Sequence, residues 1–248
     1  MTKHLTGFAF LILLLASCKK ENANFTTASV NDYYPLQVGK YITYDLDSTI
    51  FTNFGQTLTV RHYQAQYKVD GQITDNLGRE GYNIYRYLRQ DSTQNWTIDN
   101  IFTVFSNSKS VEYIQDNLRF LKLMAPITEG FSWKGNSYLA YNPYRYYDFA
   151  NPAFMEDWNY TYQDVNAPVT IGSKAFENTI TVLEIADSTG DPKVSGTQYA
   201  EKTYSTEKYA EGVGLIFKDF IHWEYQGPQS ISPGYTGFGE KLSIIDYN

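Results

Sequence analysis

Leu215-Ile216-Phe217-Lys218-Asp219-Phe220-Ile221-His222-Trp223-Glu224-Tyr225-Gln226 is the clearest strand signal in this chain. Leu215, Phe217, Ile221, Trp223 and Tyr225 fall on one face, and Lys218, His222, Glu224 and Gln226 on the other. A period of two is the signature of a strand with one buried face, which predicts that the apolar row points inward. Asp219 breaks the apolar row and Phe220 the polar one, which predicts a β-bulge at that point. The run is about twice the usual strand length of ~5–6 residues, so it predicts a strongly curved sheet or a barrel wall.

The same alternation recurs on both sides of this stretch. Residues 238–247 follow a Gly- and Pro-bearing loop at 227–237. Upstream, residues 197–208, 178–185 and 158–163 read as strands, with a turn region at 187–196. Near the start, Ile42, Tyr44 and Leu46 share one face of residues 41–46, and Tyr63, Ala65, Tyr67 and Val69 share one face of residues 63–69. Asp70-Gly71 is a tight-turn signal. Residues 82–89, 101–105, 111–115 and 118–124 complete the set. Between them and the later strands, residues 133–155 carry Gly135, Pro143 and Pro152 among many aromatics and read as a long loop. The chain holds 23 Tyr, and aromatics make up 17% of it. That composition suits pleated, half-buried surfaces. The fold class is therefore all-β: a single, mainly antiparallel, strongly curved sheet or partly open barrel, with a long irregular aromatic-rich loop.

The first residues are of another kind. Lys3 and His4 give a short basic start, residues 5–16 are nearly continuous apolar sequence, and small Ala16 and Ser17 precede Cys18. This pattern is a secretory signal peptide. Its apolar core is too short to cross ~30 Å of hydrocarbon, which takes ~20 residues. Cys18 is the single cysteine, so it forms no internal disulfide. The predicted organisation is a signal peptide at 1–17, a lipidated Cys18 with a flexible tether at 18–31, and a β-rich domain at 32–248. The formal net charge of −7 disfavours nucleic acid as a partner, because phosphates are repelled.

Leu15-Ala16-Ser17-Cys18 resembles the lipobox of bacterial lipoproteins. The resemblance implies acylation of Cys18, a membrane partner through that anchor, and a place in the cell envelope, at the outer membrane, on its periplasmic or its surface face. Tyr33-Tyr34-Pro35-Leu36-Gln37-Val38-Gly39-Lys40-Tyr41 resembles the opening of many uncharacterised Bacteroidota lipoproteins. Gly212-Val213-Gly214-Leu215 resembles a phrase before a late strand in the same group. More distantly the group resembles curved-sheet envelope proteins of the lipoprotein-carrier type. Asp-Ser-Thr occurs at 47–49, 91–93 and 187–189 and resembles an O-glycosylation acceptor of exported Bacteroidota proteins, which implies sugar on Ser48, Ser92 and Ser188. Asp, Ser and Thr are also ordinary turn formers.

No catalytic motif emerges. There is no Gly-x-Ser-x-Gly elbow and no His-Glu-x-x-His pair. His222 and Glu224 share a strand face, but two ligands make no metal site, and they read as a solvated pair. The expectation is no metal, no cofactor and no catalytic residue. Glu156 and Asp157 beside Trp158 are the most suggestive acidic cluster for sugar hydrolysis, and a solvated acidic turn explains them as well. Tyr138, Tyr141, Tyr144, Tyr146 and Tyr147 crowd the loop and are the candidate ligand contacts. Amphipathic aromatics suit a glycan, a lipid or a protein partner, and equally a loop packing over an open sheet. The sequence thus predicts a non-enzymatic binding module. The alternatives are a carrier of a lipid or other apolar molecule in the curved sheet, and a carbohydrate-active enzyme with paired carboxylates.

Overall fold

The computed structural model describes residues 28–151 and 153–248. The signal peptide, Cys18 and most of the tether lie outside the described residues. The strands are β1 (Tyr41–Thr52), β2 (Thr57–Thr74), β3 (Glu80–Arg89), β4 (Thr97–Ser106), β5 (Ser110–Gln115), β6 (Leu118–Met124), β7 (Ser132–Lys134), β8 (Asn159–Ile171), β9 (Lys174–Thr189), β10 (Tyr199–Ala210), β11 (Gly214–Gln226) and β12 (Gly234–Tyr247). They form one 12-stranded sheet in the order β6-β5-β4-β3-β2-β1-β12-β11-β10-β9-β8-β7. Each neighbouring pair is antiparallel, and the sheet rolls into a barrel with one unsealed seam. The chain starts mid-sheet, meanders out to β6, crosses the seam to β7, and meanders back until β12 pairs with β1.

The seam puts the two shortest edges, β6 and β7, side by side, which limits the unpaired edge. A few bonds bridge it. The Leu121 N–H donates to the Gly135 carbonyl at 2.7 Å, and the Trp133 indole donates to the Leu121 carbonyl at 2.8 Å. The Tyr162 hydroxyl accepts from the Met124 N–H and donates to the Met124 carbonyl. Gly135 is required here by space: a Cβ would lie 2.4 Å from the Tyr160 ring. β7 overlaps the start of the stretch read as loop, because three residues are too few to show a period.

Two local expectations have other outcomes. Asp70 is the extra residue of a bulge within β2, since Val69 pairs with Ile84 and Gly71 with Asn83. The turn itself comes at Asp75, whose carboxylate accepts from the Leu77 and Arg79 N–H groups. The tether also ends before Asn31. The Ser29 hydroxyl accepts from the Asn31 N–H at 3.2 Å, and the Asp32 carboxylate accepts from the Ser29 N–H at 2.9 Å. This reciprocal cap starts a single turn of helix, α1 (Val30–Tyr33), and turns Val30 and Tyr33 into the core. With Tyr34, Pro35 and Leu36 it plugs the end of the barrel that holds the β2–β3, β4–β5 and β10–β11 turns.

β1 and β2 face as their alternation predicts: Tyr44, Leu46, Ala65 and Val69 are buried. β11 is the reverse. Ile216, Phe220, His222 and Glu224 are buried, with His222 at 0% exposure, whereas Phe217, Ile221, Trp223 and Tyr225 are half-buried on the outside, and Leu215, beside the bulge, packs on the core. The solvated His222–Glu224 pair is therefore corrected to a buried one. The predicted bulge also moves. Pairing between β11 and β12 is continuous through Asp219 and Phe220, and the extra residue is Ile216, opposite β10. The cause of the inversion is the width of a 12-stranded barrel, whose lumen is large enough for polar side chains to satisfy one another inside. The apolar row outside is shielded by its neighbours. Tyr235 packs against Trp223 and Tyr225, and Lys241 lies over Phe217.

Candidate functional site

The meander brings charged residues from separate strands to one level of the lumen. Lys122 of β6 donates to Glu184 of β9 and Glu207 of β10, at 2.8 Å each. The Ser205 hydroxyl donates to the other Glu184 oxygen at 2.6 Å, and the Tyr209 hydroxyl to Glu207. Lys218 of β11 and Arg86 of β3 both donate to Glu240 of β12. Burial alone would discharge Lys122, but Glu184 and Glu207 outweigh it and hold the amine well above its usual range. Burial raises Glu184, while Lys122 and Lys218 overcome burial and lower Glu207. Lys218 does the same for Glu240. Three cations, Arg86, Lys122 and Lys218, thus pair with three carboxylates at this level, Glu184, Glu207 and Glu240, and Arg86 pairs with Asp99 as well.

This charged layer is the floor of a cavity of about 480 Å³, within the ~300–1,000 Å³ typical of small-ligand sites. Its walls are largely apolar and aromatic: Tyr63 and Leu88 on one side, Phe120 and Tyr160 near the seam, Phe220 and Phe238 opposite. A smaller cavity of about 70 Å³ lies beneath the floor, against Tyr34, Pro35 and Leu36, and shares Lys122 and Lys218 with the larger one. The mouth lies at the end opposite α1, where the 135–158 loop folds across it.

That loop is a lid, and the lid is latched. Tyr147 stacks on Phe238 at 4.7 Å between ring centroids, and Tyr144 meets the same ring edge-on at 5.1 Å. The Ala150 and Asn151 N–H groups both donate to the Glu224 carboxylate, at 2.8 and 2.5 Å. The Asn151 amide donates to Glu201, which also accepts from the Tyr199 hydroxyl. Phe149 packs edge-on against His222 at 4.2 Å. His222 shares a hydrogen bond of 2.8 Å between Nδ1 and Thr203 Oγ1, and its Nε2 is buried without a partner. Burial pushes the imidazole pKa down to about 4. The pair read as solvated in sequence is the lid's anchorage.

The predicted ligand contacts divide. Tyr144 and Tyr147 line the cavity. Tyr138, Tyr141 and Tyr146 point to solvent, at 56%, 58% and 88% exposure, and do not join them. Ser48 also lines the cavity, from the middle of β1. Ser92 and Ser188 are exposed. Glu156 and Asp157 lie in a 3-10 turn of the lid, where the buried Trp158 donates its indole N–H to the Ala153 carbonyl. Among the described residues no group of three or more His, Cys, Asp or Glu is placed to hold a metal ion. Sequence reasoning missed the charged floor. Its signal was a charge flanked by apolar residues in a strand: Lys122 within Phe120-Leu121-Lys122-Leu123-Met124 and Glu184 within Thr181-Val182-Leu183-Glu184-Ile185.

No protein-family model matches this chain. No curated protein matches it either. Among solved structures the chain is similar to an exported-type protein with a YmcC-like fold from Bacteroides fragilis, at 12% identity and a TM-score of 0.40, covering 88% of this chain and all of the other. It is also similar to a lipoprotein-type chain from Parabacteroides distasonis, at 13% identity and a TM-score of 0.32, covering 86% and 97%. At these scores the likeness assigns neither family nor activity.

Proposed function

We propose that this chain is an exported, lipid-anchored carrier that holds one small amphiphile in its lumen. The observation that carries the reading is the 480 Å³ cavity, with aromatic walls, an ion-paired floor and a latched aromatic lid. The walls take an apolar body by removing its surface from water. The floor takes the polar end. Its charges are already paired, so an ion of one sign would leave a buried charge uncompensated. A neutral or zwitterionic head avoids that cost and exchanges hydrogen bonds with Lys122, Glu184 and Lys218. No reaction is asked of these residues, and the role is non-enzymatic. The basic start, apolar core and lipobox support export and acylation at Cys18, which hold the barrel at the envelope.

The test is a titration of the full-length protein with N-phenyl-1-naphthylamine, a neutral probe that brightens in apolar surroundings, followed by displacement with a zwitterionic lysophospholipid. Saturable binding at one site, displaced by the lysolipid and lost in Ser48→Trp, is the expected result. The Ser48 side chain faces the cavity, so a bulky indole there fills the lumen. Binding that persists unchanged in a folded Ser48→Trp protein would refute the lumen as the site. The anchor is tested separately by Cys18→Ala with membrane fractionation, which should release the protein and abolish lipid labelling.

A further inference from the structure

The lumen opens at the end that carries the β1–β2 and β11–β12 loops. At their tips Phe54 and Ile231 are 97% and 103% exposed, as fully as side chains can be. Phe54 also sits in strained backbone. Asn53 and Phe54 both hold positive φ, at 52° and 54°, a region that bulky side chains rarely adopt. The turn that closes the β1–β2 hairpin sets that conformation, with the Gln56 N–H donating to the Asn53 carbonyl at 3.1 Å, but the ring itself packs on nothing.

The two tips are held together as a unit. The Tyr235 N–H donates to the Gly55 carbonyl at 2.9 Å, the Gln56 amide to the Pro233 carbonyl at 2.9 Å, and Phe51 stacks flat on Tyr235 at 5.1 Å. The tips themselves carry no charge, and the nearby Asp191 acts at their base, on Tyr235. No Asp, Glu, Lys or Arg occurs from residue 48 to 60 or from 225 to 239, in a chain that is 19% charged. Leu77 provides the contrast. It is 82% exposed at the opposite end, but its turn carries Asp75, Arg79 and Glu80. Charge-free tips with single large apolar side chains match the interior of a bilayer, which excludes charge, and do not form the broad patch of a protein interface. Exposed Tyr141 and Tyr146 of the lid lie at the same end, where tyrosines suit the headgroup level.

We propose that the mouth of the barrel docks on a lipid bilayer by sinking Phe54 and Ile231 into it. The inference is independent of whether the cavity carries a ligand, and the two fail separately. Docking places the mouth against the lipid phase. It also faces the barrel's mouth away from α1, the end at which the chain arrives from Cys18.

The test uses the full-length Cys18→Ala chain, so that an introduced thiol is the single one. An environment-sensitive fluorophore is attached at Phe54→Cys or at Leu77→Cys, and each protein is mixed with phosphatidylcholine–phosphatidylethanolamine vesicles, with and without acyl-chain spin labels. Both proteins share the same N-terminal segment, so a difference between them belongs to the tips. The expected result is a blue shift and depth-dependent quenching at position 54 and neither at position 77. Phe54→Ser and Ile231→Ser should each weaken vesicle partition by roughly tenfold. Both side chains are exposed, so neither change threatens the fold. Equal emission at the two positions, or no quenching at 54, would overturn the proposal. A blue shift at 54 that appears without vesicles and grows with protein concentration would assign the tips to a second copy of the chain and would equally overturn it.

Discussion

Acid should loosen this protein through one imidazole. His222 is buried beneath the lid, shares a proton-bridged contact with Thr203, and packs against Phe149. Burial lowers its pKa to about 4 from the ordinary value of 6.5. The unfolded chain therefore binds this proton before the folded chain does. The associated stability is complete above pH 6.5 and is lost as pH falls toward 4. At 1.36 kcal/mol per pKa unit the full loss is about 3 kcal/mol, and about 2 kcal/mol of it has gone by pH 5. The assay is urea unfolding of the wild-type protein and His222→Gln at pH 7.5 and pH 5. Other titrating groups are common to both proteins, so the difference between their pH dependences isolates the imidazole. The wild type should lose about 2 kcal/mol more than the variant. Equal losses, or an imidazole that titrates near 6.5 in the folded protein by NMR, would refute the reasoning.

Three further outcomes follow from the geometry. Lys122→Met removes the cation hydrogen-bonded to buried Glu184 and Glu207, leaving Glu207 only the influence of Lys218, and should destabilise by about 3–5 kcal/mol, read by urea unfolding, with recovery when both glutamates become glutamine. Gly135→Ala drives a Cβ into the Tyr160 ring and should cost about 1–3 kcal/mol, read as a lower Tm and as faster hydrogen exchange at the Leu121 amide across the seam. Glu224→Ala removes the acceptor for the Ala150 and Asn151 N–H groups and should speed proteolytic nicking of the lid while leaving the barrel intact.

The strand pattern was legible from the sequence wherever one face stayed apolar. Residues 41–46 and 63–69 alternate cleanly because Ile42, Tyr44, Leu46, Ala65 and Val69 face the apolar interior. β11 misled for a physical reason. Inside-out rules assume that the polar face meets water, and here Lys218, His222 and Glu224 meet one another's partners in the lumen instead. The outer row, Phe217 to Tyr225, is covered by tyrosines and a lysine stem rather than by a core. β7 was hidden by its brevity, and the α1 cap by its position beside a polar segment. For the site, the aromatic loop was visible in composition, but only contact geometry separates Tyr144 and Tyr147, which line the cavity, from Tyr138, Tyr141 and Tyr146, which do not. The floor depends on residues from β3, β6, β9, β10, β11 and β12, whose meeting no local pattern encodes.

The most direct measurement of the central claim is a crystal structure of the protein grown with a zwitterionic lysolipid brominated on its acyl chain. An anomalous bromine peak is expected inside the barrel, between Phe120, Phe220 and the lid residue Trp158, with the head group on Lys122 and Lys218. A saturating concentration that leaves the lumen without bromine, or places it on the outer face of β11, would contradict the account.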